Sequence, residues 1–96
     1  MTVTMFRAEF KDDCLEEAEA TIRAMFAAIN DARPEGVRYA STRSGATFVA
    51  LLSLEGEENP LAGLPEFGEF QRRLATWFAG PPVVEQLEVV GSYGLF

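Results

Sequence analysis

Apolar residues recur along this chain with two periods, two residues and about 3.6, and the switches between them mark out its elements. Thr2 to Phe10 alternates as a strand, with Phe6, Ala8 and Phe10 on one face and Val3, Met5, Arg7 and Glu9 on the other. Leu15, Ala18, Ile22, Met25, Phe26 and Ile29 then follow at three- and four-residue steps, which predicts an amphipathic helix lasting to about Asn30. Asp12 or Asp13 is the expected N-cap, Glu16 and Glu17 suit the positive end of the helix dipole, and Arg33-Pro34-Glu35-Gly36 is the expected stop. Val37 to Arg43 and Thr47 to Leu54 read as two strands joined by the Ser44-Gly45-Ala46 hairpin. From Leu64 to Pro82 runs a second helix that Pro65 opens and Gly80-Pro81-Pro82 closes, with Phe67, Phe70, Leu74, Trp77 and Phe78 on one face. Val83 to Phe96 reads as a long last strand in which Gly91 and Gly94 allow a bulge or a bend.

The order strand, helix, strand, strand, helix, strand predicts a single ferredoxin-like α+β domain over residues 1–96, a four-stranded antiparallel sheet with two helices on one face. One strand complicates this picture. In Thr47–Leu54, Phe48, Ala50, Leu52 and Leu54 alternate with Thr47, Val49, Leu51 and Ser53, so both faces are apolar in the middle, whereas an open antiparallel sheet shows one wet face. The pattern predicts that a second copy of the sheet covers the free face, making a homodimer with a cavity between the sheet and the helices of each subunit. A last strand as long as Val83 to Phe96 commonly pairs with a neighbouring chain.

Composition narrows the chemistry. Fifteen acidic residues against eight basic ones leave a formal net charge of −7, which repels phosphate backbones and anionic lipid, so neither nucleic acid nor a membrane surface is an expected partner. The absence of histidine excludes Ser-His-Asp and Cys-His catalysis and histidine-ligated zinc or haem. Cys14, alone of its type, makes no internal disulfide and reads as a small residue at a helix start, with Asp12 and Asp13 opposing thiolate formation. No apolar run approaches the roughly 20 residues that span a bilayer, and no secretory pattern precedes the first strand. The expected location is the cytoplasm.

The segment Leu64-Pro65-Glu66-Phe67-Gly68-Glu69-Phe70, with Leu74 and the Ala79-Gly80-Pro81-Pro82 ending, resembles the dimeric α+β barrel proteins of the antibiotic biosynthesis monooxygenase type. Members often open the second helix with a small residue, proline, histidine and phenylalanine. Glu66 stands here at the histidine position, and the upstream histidine and the tryptophan of the preceding connection are also missing. The resemblance implies oxygenation of a polycyclic phenol with no cofactor and no metal: the substrate becomes an electron-rich anion in a dry pocket and reduces oxygen directly. The residues that this chemistry would use are Trp77 to stack on the substrate, Asn59 to hydrogen-bond its oxygens, and Arg7, Arg38 or Arg43 to stabilise the anion. Tyr39 and Tyr93 would be further donors, and Phe67 and Phe70 would form the aromatic wall. Each also has a plain reading: Trp77 as core, Asn59 before Pro60 as a turn residue, the arginines as surface ion pairs. Beside the oxygenase stands a non-catalytic dimeric module that binds a small ligand or serves a structural role.

Overall fold

A computed structural model describes residues 2–95. The strands are β1 (Thr2–Glu9), β2 (Val37–Ser44), β3 (Thr47–Leu54) and β4 (Val83–Glu88), and the helices are α1 (Leu15–Ala32) and α2 (Pro65–Trp77). All pairings are antiparallel in the order β2-β3-β1-β4, so the first and third strands lie at the centre, as the ferredoxin-like order requires. Phe6 pairs with Ala50 and Ala8 with Phe48, which puts the expected aromatic face of β1 on the helix side. Gly45 takes a φ of +60° and closes the β2–β3 hairpin, a conformation that costs a residue with a Cβ.

Helix boundaries depart from the sequence reading for local reasons. Neither Asp12 nor Asp13 caps α1; they form a short 3-10 turn with Cys14, and that turn leads into the helix without a side-chain cap. At the other end α1 runs to Ala32 and leaves through Arg33, whose φ of 49° is left-handed and whose N–H returns to the Ile29 carbonyl. Pro34 explains the exit, because the residue before a proline is disfavoured in the right-handed helical region. α2 stops at Trp77, earlier than the aromatic spacing suggests. The Trp77 carbonyl accepts the Lys11 N–H at 2.8 Å, Ala79 N–H donates to the Glu9 carbonyl at 2.8 Å, and Phe10 bridges Phe78. The end of α2 is thus stitched to the end of β1.

The core gathers at that junction. Trp77 is 1% exposed, with Phe10 at 5.8 Å and Phe70 at 6.1 Å between ring centroids, and Phe10 stacks on Phe48 at 4.3 Å. A buried indole N–H needs an acceptor, and Glu17 of α1 supplies Oε2 at 2.9 Å. The other Glu17 oxygen accepts from Arg73 of α2, which also donates to Thr21 at 3.2 Å. One carboxylate therefore ties the two helices through both an aromatic and a cationic donor.

The last element overturns the expectation of one long strand. β4 ends at Glu88, and the chain beyond it reaches Arg38 on the opposite edge strand through the Leu95 carbonyl. Arg38, Ser53, Val3 and Leu87 form one row across the four strands on the sheet face away from the helices, and Arg38 Nη1 donates to the Leu95 carbonyl at 3.1 Å. Val3 and Ser53 in this row are only 2% and 3% exposed. Beyond this row Met5, Val49 and Leu51 stay partly open. Phe96 lies outside the described residues.

Replacing Trp77 with Ala should destabilise the fold by about 3–5 kcal/mol in urea unfolding, the usual range for emptying a large aromatic site. Trp77→Phe should cost less but leave Glu17 without its indole partner.

Candidate functional site

The helical layer is narrower than the sheet beneath it, and a groove follows where α1 runs beside the edge strand β2. Residues of α1 spaced by three and four, Glu19, Ile22, Arg23, Phe26, Ile29 and Asn30, with Arg33 just past its end, face the helix-side residues of β2. Two lobes result, meeting at Phe26. The one toward the hairpin, about 320 Å³, lies among Ile22, Phe26, Phe48, Ser41 and Arg43. The other, about 420 Å³, lies among Phe26, Ile29, Val37 and Tyr39 near the end of α1.

Tyr39 lines the lobe near the end of α1. Its ring packs against Phe26 at 5.0 Å and meets Phe67 nearly edge-on at 6.4 Å. Its hydroxyl has no hydrogen-bond partner among the described residues. Desolvation by burial pushes its pKa from 10.0 up to about 12, so it remains a neutral donor across the physiological range. Arg43 closes the hairpin end: its guanidinium carbon stands 5.9 Å from the Phe48 ring centroid, and Nη1 lies 3.5 Å from Glu19.

The other residues that sequence reasoning selected lie elsewhere. Trp77 has Phe10 and Phe70 against its ring and lines none of the clefts, so it offers no face to a ligand in this structure. Asn59 spends its side-chain oxygen on the Leu61 N–H at 2.9 Å, capping the 3-10 turn Pro60–Gly63. Phe67 and Phe70 are buried on the inner face of α2. Arg7 lies on the free sheet face in a separate cleft of about 360 Å³ beside Glu9, Thr47 and Val83. Arg38 holds the C-terminal stretch, and Tyr93 within that stretch is 99% exposed. Tyr39 and Arg43 are thus brought to one groove, while the remaining candidates are dispersed. Cys14 points its thiol at Asp13 at 3.7 Å, and desolvation together with that negative charge raises its pKa, which disfavours the reactive thiolate.

Phe26, Phe48 and Arg23 were not selected from the sequence as site residues. The signal available was a helical stripe with arginines at its margins, and nothing in the chain order identifies which strand flanks α1 at an open edge. Among the described residues no group of three or more histidines, cysteines or acids is placed to hold a metal, and no helix is long and apolar enough to cross a membrane.

No family sequence model matches the chain, and no curated protein matches it. Solved structures do. A Nitrosomonas europaea protein provisionally named an antibiotic biosynthesis monooxygenase superposes with a TM-score of 0.76 at 20% identity, over 95% of this chain and 100% of its own. One from Caulobacter crescentus, also provisionally so named, gives 0.73 at 20% identity over 94% of this chain and 90% of its own. Rv0793 from Mycobacterium tuberculosis gives 0.71 at 19% identity over 95% and 96%.

The Tyr39 shift sets a pH dependence. Its proton is held more tightly in the folded than in the unfolded chain, so the associated stability is complete below pH 10 and is lost as pH rises from 10 toward about 12. Unfolding measured across that window should show the loss, and Tyr39→Phe should flatten it. With 95% of the chain matched by structures of this kind, the protein has the ferredoxin-like fold of the antibiotic biosynthesis monooxygenase-like proteins.

Proposed function

We propose that this protein is a monooxygenase-like homodimer that binds a small aromatic compound in the groove between α1 and β2. The observation that carries the reading is the make-up of the groove: Phe26, Tyr39 and Phe48 are among its lining residues, with Arg23 and Arg43 at the lobe toward the hairpin and Arg33 at the other. Aromatic walls favour a planar ligand, and lobes of about 320 and 420 Å³ fall in the small-molecule range of roughly 300–1,000 Å³.

Cofactor-free oxygenation, the activity in the names of several structural neighbours, is the reaction such a site would serve. A methylene between aromatic rings loses a proton to give an electron-rich anion. That anion reduces O2; one oxygen atom becomes the new carbonyl and the other leaves as water, so the substrate supplies all the electrons. The neutral Tyr39 hydroxyl would hydrogen-bond the anionic oxygen, and Arg43 would add positive charge nearby. A non-catalytic binding module is favoured by a different observation: Trp77 and Asn59 are both committed to the fold, and no histidine is present to act as base near neutral pH.

Oxygen uptake with anthrone separates the two. Saturable uptake matched one for one by anthraquinone, lowered about tenfold in Phe26→Ala, is expected of the oxygenase, the factor being that of one lost aromatic contact. Anthrone binding without uptake would assign the binding module.

Dimerisation through the free sheet face rests on Met5, Val49 and Leu51, which the described residues leave partly exposed. A second copy presents the same surface, and a two-fold pairing buries both. Leu51→Glu would place charge in that interface and should give monomers by sedimentation; an unchanged dimer would put the interface elsewhere.

A further inference from the structure

We infer that the groove takes its ligand as an aromatic carboxylate, with the carboxylate held between Arg23 and Arg43 at the hairpin end. This rests on the groove being the binding site and adds the ligand's charge. Arg23 Nη2 lies 3.7 Å and Arg43 Nη1 3.5 Å from the same oxygen, Glu19 Oε1. Two guanidiniums thus share one carboxylate, and the cluster keeps a formal charge of +1 on a protein whose net charge is −7. Both separations exceed the roughly 2.7–3.2 Å of a full N–H···O bond, so neither arginine is saturated by Glu19, and each guanidinium has five N–H donors in a planar fork. By contrast, Arg72 and Arg73 are engaged with Glu69 and Glu17 on α2 and α1.

The apolar part of the site adjoins this unsatisfied charge. Ile22, Phe26 and Phe48 line the same lobe as the two arginines, so a ring resting on them would direct a substituent at the rim toward the guanidiniums. Charge selects the substituent. A neutral group leaves the excess +1 uncompensated, and a dianionic phosphate would overcompensate it beside Glu19. A single carboxylate balances it and matches the guanidinium fork. Against a net charge of −7, a pair of guanidiniums sharing one carboxylate is a local excess of positive charge.

The test is calorimetric titration of the full chain with 2-naphthoate and its neutral counterpart 2-naphthamide. Naphthoate should bind about tenfold more tightly, as one charge-assisted contact predicts, with the preference shrinking as salt is raised. The double variant Arg23→Gln, Arg43→Gln should erase the preference, and Arg72→Gln, which removes one positive charge from α2, should retain it. Equal affinity of the wild type for the two probes, or a preference that survives in the double variant, would overturn the carboxylate assignment while leaving an aromatic-binding groove. Failure of both probes to bind would overturn that assignment and the groove together.

Discussion

The tertiary structure hangs on how Trp77 is satisfied. An indole at 1% exposure contributes several kcal/mol of apolar burial only if its N–H keeps a hydrogen bond, and the acceptor comes from the other helix. Glu17 therefore links α1 to α2 at this junction. The same carboxylate neutralises Arg73, and the backbone link from Lys11 to Trp77 fixes the end of α2 against β1. With both helices located by that junction, α1 comes to lie along β2 with its outer stripe unpaired, and the groove is the space left over.

The sheet's second face follows a different logic. A two-layer α+β domain covers one side of its sheet with helices and has nothing equivalent for the other. On that face Val3 and Ser53 are buried, and Arg38 ties the stretch after Glu88 to the edge strand through the Leu95 carbonyl. Hydrogen-bonding a backbone carbonyl with an arginine also occupies a cation that would otherwise stand free on an apolar face. The middle of that face, around Met5, Val49 and Leu51, stays partly open.

Much of the architecture was legible in the residues: the strand and helix order, the inward faces of β1 and α2, and the hairpin at Gly45. These rest on local periodicity and turn stereochemistry, which act within a few residues. Trp77 shows where that reading stops. Its place on an aromatic helix face was plain, but whether the ring meets a ligand or Phe10 and Phe70 depends on side chains far away in sequence. Asn59 likewise sits before Pro60 as a turn residue would, and only the bond from Leu61 shows that its oxygen is taken.

By itself, then, the sequence determined the succession of elements, the absence of histidine chemistry and the acidic charge, because each is a property of composition or short-range spacing. Tertiary structure alone decided that β4 stops at Glu88, that Arg38 faces Leu95, and that Tyr39 and Arg43 share a groove with Phe26 while Arg7 does not. The physical reason is that a binding site is a matter of which faces the packed layers leave uncovered. That depends on strand order and on the seating of each helix, which long-range contacts fix after the local elements have formed.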